Sequence, residues 1–296
     1  MHNILITGVN GFLGNYLVRL LLSKKHHVLG VGKGSSRVDV NEAGFNYLEL
    51  DFTRQGDVTQ VIDHYRPSVI IHAGAMTKPD ECELNRQAAY VTNVQGTINL
   101  LAAASVHNAH FIQVSTDFVF RGNKEIYTED DPGDPVNYYG ETKLLAEEAV
   151  KQYKGKWSIV RTILVYGQPK AGRQNILTNV AEALKNGKVL NMYCDQTRTP
   201  TYVEDLAAGI ASIAAKQATG IFHLSGEEQF TPYDLAIRVA NHLNLNKSLI
   251  NSVTSDTFKQ PALRPPRTIF DLTKAKKELG YQVTPFSEGL KRTFAD

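Results

Sequence analysis

Apolar residues recur in two alternating rhythms along the first half of the chain. Runs rich in β-branched residues at 4–7, 28–31, 47–50, 69–72, 111–114 and 158–160 are short and almost wholly apolar, as expected of buried strands. Between them Leu13, Leu17, Leu20 and Leu21, and later Val91, Val94, Ile98 and Leu101, recur at helical spacing. Repeated strand–helix–strand order predicts an α/β fold with a doubly wound parallel sheet and helices on both faces, because parallel neighbours need crossover connections. After Tyr166 the rhythm changes. Helix-like segments at 176–185, 206–214 and 233–243 alternate with single short strands near 189–192 and 221–224, and Pro- and Arg-rich loops such as 259–267 separate them. This predicts a large domain from residues 1–166 with 199–225, and a smaller discontinuous α/β lobe from 167–198 with 226–296. A cleft between two such lobes is where ligands usually bind.

Composition narrows the class without choosing a function. The 296 residues are 42% hydrophobic and 21% charged, enough to bury a large core and an appended lobe. A net charge of +2 supplies no polycation, so nucleic acid is not an expected partner. Cys82 and Cys194 are too few for a disulfide framework and suit a reducing compartment. No signal-peptide layout precedes the first strand, and apolar stretches such as 100–104 are far shorter than a membrane span. The expectation is a soluble cytoplasmic protein with no membrane partner. Histidines are scattered without metal-ligand spacing, so no metal is expected.

The first chemical signal is Gly8-Val9-Asn10-Gly11-Phe12-Leu13-Gly14, between the first strand and the first helix. Gly8, Gly11 and Gly14 allow a tight turn and a close approach of backbone amides, including those of Phe12 and Leu13, to a pyrophosphate at a helix N-terminus. Placed in a strand–helix–strand unit, this turn favours a Rossmann-like, dinucleotide-binding sheet over a glycine-rich turn with no ligand. The end of the second strand bears on which dinucleotide. An acidic residue there would accept hydrogen bonds from the adenosine ribose and repel a 2′-phosphate. The chain instead offers Lys33, Ser35, Ser36 and Arg37, two cations and two hydroxyls, with Asp39 just beyond. That favours NADP(H), with NAD(H) as the second choice, over a merely solvated basic loop. Asp51 and Phe52 after the third strand suit the adenine amino group and ring. Ala73, Gly74 and Ala75 after the fourth suit close passage of the cofactor; both groups also read as plain strand ends.

The second signal is Tyr139-Gly140-Glu141-Thr142-Lys143 at the start of a predicted helix. A spacing of four puts Tyr139 and Lys143 on one face. A phenol near its usual pKa of about 10 is a reluctant acid or base at neutral pH, and a neighbouring ammonium lowers that value. Tyr139 can then exchange a proton with a carbonyl oxygen while Lys143 tunes it and holds the nicotinamide ribose. Thr116, in Ser115-Thr116-Asp117 at the end of the fifth strand, borders the ligand crevice and is the candidate second donor; a hydroxyl there can also simply cap backbone.

With the glycine turn, the strand-end Thr and Tyr-x-x-x-Lys in this order, the chain resembles the extended short-chain dehydrogenase/reductases, and among them the dTDP-4-dehydrorhamnose reductases. The matching stretches run from His72 to Thr77, from Ser115 to Phe120, from Val136 to Lys143, from Val160 to Thr162, from Val165 to Gly167 and from Asp195 to Thr201. The resemblance implies Thr116, Tyr139 and Lys143 as the catalytic set, Asn93 as a helix-embedded support, and a nucleotide-linked 4-keto sugar as substrate. Thr77, Asp117 and Phe118 would line the substrate site. Arg198 matches the family's diphosphate-binding Arg, with Arg264 and Arg267 as further candidates; ion pairing at the surface or between lobes is the plainer role for each. A homodimer is allowed. Two stretches depart from the pattern: Ile163-Leu164 stand where these reductases commonly carry a Trp lining the sugar site, and the linker around Arg173 fits poorly. Dehydration is disfavoured because Phe118, which follows Asp117, cannot transfer a proton. Two other readings stay open: a nucleotide-sugar epimerase, and a non-catalytic dinucleotide-binding regulatory subunit like that of methionine adenosyltransferase, which shares the architecture.

Overall fold

The computed structural model describes residues 2–170 and 174–295, so Arg173 lies outside the described residues. The chain runs through β1 (Asn3–Thr7), α1 (Phe12–Ser23), β2 (His27–Gly32), β3 (Phe45–Glu49), α2 (Gln55–Tyr65) and β4 (Val69–His72). Two short helices, α3 (Pro79–Leu84) and α4 (Arg86–Tyr90), lead through a π-helical turn at Val91–Gln95 into α5 (Gly96–His107). Next come β5 (His110–Thr116), α6 (Tyr138–Lys151), β6 (Trp157–Thr162), β7 (Val165–Tyr166), α7 (Ile176–Lys185), β8 (Leu190–Tyr193), β9 (Thr197–Arg198) and β10 (Thr201–Tyr202). The chain ends with α8 (Val203–Lys216), β11 (Gly220–Leu224), α9 (Pro232–His242), β12 (Ile250–Val253), β13 (Arg267–Thr268) and α10 (Phe286–Thr293).

Seven strands form one sheet in the order β11-β6-β5-β4-β1-β2-β3, every pair parallel. Alternate side chains of each strand go to opposite faces. Ile4, Ile6, Val28, Ile71, Ile112 and Val160 pack with α1 and α8 residues such as Leu17, Leu21, Leu206 and Ile210. Leu5, Leu29, Ile70, Phe111 and Ile159 pack on the other face with Val58 and Ile62 of α2, Leu100 of α5 and Val150 of α6. Each such aliphatic side chain contributes about 1.5–3 kcal/mol by leaving water. This is the Rossmann-like doubly wound arrangement. Its strand order reverses between β1 and β4, which opens a crevice at the carboxyl ends of those strands.

A separate core joins Leu177, Val180 and Leu184 of α7 to Leu235 and Val239 of α9, Ile250 of β12 and Phe286 and Leu290 of α10. β8 and β12 pair in parallel beside it, so helices and strands share this second core. The stretch 226–296 is not one packing unit, however. Phe270, Leu272, Ala275, Leu279 and Tyr281 join the main-sheet core. They are held there by Tyr127, whose N–H donates to Ile269 O at 2.8 Å and whose carbonyl accepts from Asp271 N at 2.8 Å. The third strand starts at Phe45 rather than residue 47, directly after Gly44, whose φ of +107° closes the preceding turn.

Candidate active site

The glycine turn is built by close backbone packing. Gly8 has φ +71°, and a Cβ there would lie 2.8 Å from Gly74 Cα. A Cβ on Gly14 would lie 2.5 Å from Gly8 O, so no larger residue fits between the turn and the first helical turn of α1. Gly11 is the N-cap of α1 and makes no side-chain cap hydrogen bond. The helix therefore presents its first N–H groups to the cleft, along with the positive end of its dipole. A glycine turn packed this closely on its own backbone, facing an uncapped helix N-terminus, fits a dinucleotide pyrophosphate.

The adenosine end is more crowded than the sequence suggests. Lys33, Ser35, Ser36 and Arg37 are all exposed on the loop after β2. Lys33 Nζ pairs with Asp51 Oδ2 at 2.9 Å, and Asp51 also accepts from Thr53 N and Oγ1. Phe52 is buried: its ring packs edge-on to His72, 5.1 Å between centroids, and a Cβ on Gly74 would lie 2.7 Å from Phe52 Cε1. Phe52 thus supports the floor beneath Gly74. Ala73 lines the cleft, while Gly74 donates its N–H to Thr7 Oγ1 at 3.1 Å and Ala75 is half-buried behind it.

A single cleft of about 640 Å³ gathers Gly8, Gly11, Phe12, Leu13 and Gly14, then Thr77, Thr116, Asp117, Phe118 and Tyr139, and finally Arg198 and Arg264. Tyr139 enters it because α6 starts hard against the turn that follows β5. The Asn137 side chain caps α6 by accepting from Gly140 N at 2.9 Å. A Cβ on Gly140 would lie 2.1 Å from Phe118 O. Gly140 is therefore a site residue in its own right, and only its place inside Tyr-x-x-x-Lys hinted at that. The Tyr139 and Phe118 rings meet edge to face, 5.6 Å between centroids.

Lys143, one turn further along α6, is buried and donates from Nζ to Val114 O at 2.7 Å. Burial pulls its pKa down to about 8, against the opposing pull of the Glu147 carboxylate. Thr116 Oγ1 accepts from Phe118 N at 3.2 Å and donates to Asp117 Oδ1 at 3.1 Å. Behind this layer, Ser115 Oγ donates to Glu147 Oε1 at 2.5 Å. Glu147 also takes a two-pronged contact from the equally buried Arg161, with Nη2 2.7 Å from Oε2.

A buried polar chain joins the cradle to α6. Gly74 N and His72 Nδ1 share the Thr7 hydroxyl, the latter at 2.6 Å, and His72 Nε2 lies 3.2 Å from Thr97 Oγ1. The Thr97 hydroxyl donates to Asn93 O at 2.7 Å, so it accepts from His72. That assigns the proton of the neutral imidazole to Nε2 and leaves Nδ1 to accept from Thr7. Burial pulls the His72 pKa down to about 3, with the Lys143 charge adding to it. Asn93, inside the π-helical turn, bonds both the N–H and the carbonyl of Met76 and donates to Thr142 Oγ1 at 3.0 Å. Thr142 in turn donates to Tyr139 O at 2.8 Å.

At the far end the arginines have internal partners. Arg198 is buried. Its Nε lies 3.3 Å from Asp117 Oδ2, and its Nη1 and Nη2 donate to Thr197 O and Pro265 O. Asp117 also accepts from Thr268 Oγ1 at 2.5 Å; burial raises its carboxyl pKa, opposed by the Arg198 charge. Arg264 forms a two-pronged pair with Asp80, at 2.6 and 2.9 Å. Arg267 is half-buried, reaches Gln229 and does not line the cleft.

A Rossmann-like sheet, a glycine cradle and a helix carrying Tyr-x-x-x-Lys beside a strand-end Thr define an extended short-chain dehydrogenase/reductase, an oxidoreductase class using nicotinamide dinucleotides. Within it, the chain belongs to the RmlD substrate binding domain family, which matches residues 1–296. It is 33% identical over 311 residues to the dTDP-4-dehydrorhamnose reductase of Aggregatibacter actinomycetemcomitans, covering 100% of each chain. It is also 32% identical to methionine adenosyltransferase 2 subunit beta of Mus musculus, covering 98% of this chain and 86% of that one. Among solved structures, the dTDP-4-dehydrorhamnose reductase from Bacillus anthracis str. Ames in complex with NADP superposes with a TM-score of 0.85 at 29% identity, covering 99% of this chain and 98% of that one. No described helix is long and apolar enough to cross a membrane.

Proposed function

We propose that this protein reduces the 4-keto group of a nucleotide-linked deoxysugar with NADP(H), the reaction type of the dTDP-4-dehydrorhamnose reductases it resembles; NAD(H) is the second-choice cofactor. The observation that carries this reading is the single cleft lined together by Gly8, Gly11 and Gly14, by Thr116 and Tyr139, and by Arg198. When bound, the nicotinamide supplies a hydride to the carbonyl carbon. Tyr139 gives the matching proton to the carbonyl oxygen, so that C=O becomes CH–OH. Lys143, protonated below about pH 8, favours the phenolate that remains and holds the nicotinamide ribose. Thr116 turns its hydroxyl from Asp117 to the substrate oxygen, with Thr77 and Phe118 alongside. Arg198 and Arg264 offer their guanidinium edges to the diphosphate. The exposed Lys33, Ser35, Ser36 and Arg37 suit an adenosine 2′-phosphate, and Asp51 the adenine edge.

The epimerase and regulatory-subunit readings are less favoured. The match to the bacterial reductase spans the whole of both chains, whereas the adenosyltransferase subunits extend beyond theirs. Every group used here comes from one chain, so the reading holds for a monomer or a homodimer. Two free thiols, Cys82 and Cys194, support a reducing, cytoplasmic setting. The test is NADPH consumption with dTDP-4-dehydrorhamnose and related keto sugars. Tyr139→Phe should lower turnover about 10³-fold while leaving the NADPH Kd nearly unchanged. Undiminished turnover in that variant, or none in the wild type across the panel, would reject the reading.

A further inference from the structure

Residues 33–37 form no helix or strand, yet one side chain grips their backbone at every second residue. Asn10 Nδ2 donates to Lys33 O at 3.2 Å and Ser35 O at 3.1 Å, and Asn10 Oδ1 accepts from Arg37 N at 2.8 Å. The same Nδ2 reaches Tyr47 Oη at 3.1 Å, so its two protons serve three oxygens. The single proton of the Tyr47 hydroxyl is within reach of Gly34 O, between two of these residues, and of Gly32 O at 3.1 Å, just before them. Arg37's guanidinium and Ser35's hydroxyl make no hydrogen bond or ion pair among the described residues. Asn10 itself sits between Gly8 and Gly11, inside the cradle for the pyrophosphate.

We propose that Asn10 is a positioning residue that sets the preference for a 2′-phosphorylated dinucleotide. It fixes the backbone carrying Lys33, Ser35 and Arg37 in register with the glycine turn. An exposed loop must otherwise be ordered when it closes on an anion, at a cost taken from the binding energy. Prior ordering lets the Arg37 fork and the Ser35 hydroxyl meet the phosphate at lower entropic cost. The amide suits this role and its acid does not: Asp at position 10 would still accept from Arg37 N, but would set a carboxylate oxygen against the Lys33 and Ser35 carbonyls. The proposal rests on the NADP(H) reading above.

The test is calorimetric titration of the full chain with NADPH, NADH, 2′,5′-ADP and 5′-AMP. Wild type should bind NADPH and 2′,5′-ADP more tightly than NADH and 5′-AMP. Asn10→Asp and Asn10→Ser should each lower the NADPH-over-NADH preference about tenfold, with the NADH Kd moving less than about threefold. Tyr47→Phe should shift the preference the same way and decides the matter if neither Asn10 variant folds. An unchanged preference in folded variants overturns the role of Asn10 and leaves the enzymatic reading standing. Equal weakening of both cofactors also overturns it, because Asn10 would then serve only the glycine turn. A wild type that binds no dinucleotide overturns the enzymatic reading first and this one with it.

Discussion

Lys143 should make the fold less stable at neutral pH than at alkaline pH, by an amount the structure sets. The side chain is buried, 3% exposed, and its pKa falls from 10.5 to about 8, mainly because burial penalises the ammonium. Between those two values the unfolded chain carries more protons than the folded one. Stability therefore rises with pH through that window. With pKa values of 10.5 unfolded and about 8 folded, the penalty is about 3 kcal/mol at neutral pH and roughly half that near pH 9.5. Wild type should gain about 2 kcal/mol over that interval relative to Lys143→Met, which has nothing to titrate there. The assay is urea unfolding of both proteins, without cofactor, at about pH 7 and about pH 9.5, read as the change in the difference between their unfolding free energies. Comparing differences cancels the tyrosines and lysines remote from Lys143. Two proteins whose stabilities move in parallel over this range would refute the reasoning, because the ammonium would then be as well solvated folded as unfolded.

Three further outcomes follow from the same contacts. Gly8→Ala forces a side chain onto φ +71° and against Gly74 at 2.8 Å; it should weaken dinucleotide binding more than tenfold and cost about 1–2 kcal/mol of stability, read by titration and thermal melting. Glu147→Ala leaves Arg161 buried without its counter-charge and should cost about 3–5 kcal/mol, whereas replacing both residues with Met should recover most of that loss in chemical denaturation. Arg198→Lys loses the planar fork that spans Asp117, Thr197 O and Pro265 O and should raise the KM for the nucleotide sugar about tenfold with kcat changed far less, in steady-state kinetics.

Much of the sheet was legible because buried parallel strands are short β-branched runs, as at Ile4, Ile6, Val69 and Ile71. The Tyr139 and Lys143 pair was legible because a spacing of four is local. What was not legible shares one cause: it depends on residues distant in sequence. Val91, Val94, Ile98 and Leu101 read as a continuous α-helix, yet Val91–Gln95 is a π-helical turn. The wider turn leaves Ile98 exposed and Asn93 buried on Met76 and Thr142. The sequence leaves Arg198 and Arg264 between diphosphate binding and ion pairing, and the partners Asp117 and Asp80 come from across the fold. The sequence leaves Phe52 between an adenine contact and a plain strand end, and the approach of Gly74 and Gly96 shows the space it fills. The strand at Ile250–Val253 carries Asn251 and Ser252 and has no apolar run to announce it; its pairing with Leu190–Tyr193 is what makes it a strand.

Asn93, inside the π-helical turn, joins two chemically separate parts of the cleft. In an α-helix every carbonyl before the last turn already accepts from the N–H four residues on, and a Thr hydroxyl at that position can share it. Here Asn93 keeps its carbonyl within reach of the Thr97 hydroxyl while its side chain holds both polar groups of Met76 and the Thr142 hydroxyl. Through Thr97, His72 and Thr7 the same chain reaches Gly74, the residue against which Gly8 is packed. Through Thr142 it reaches the carbonyl of Tyr139. His72 suits the middle of this chain because it is neutral, with one nitrogen donating and the other accepting. A protonated ring would lose the acceptor that Thr7 uses, and the low His72 pKa keeps that state out of the physiological range. Gly74, against which the glycine turn packs, and the backbone of Tyr139 therefore share a single run of hydrogen bonds that neither the glycine turn nor the Tyr-x-x-x-Lys helix contains by itself.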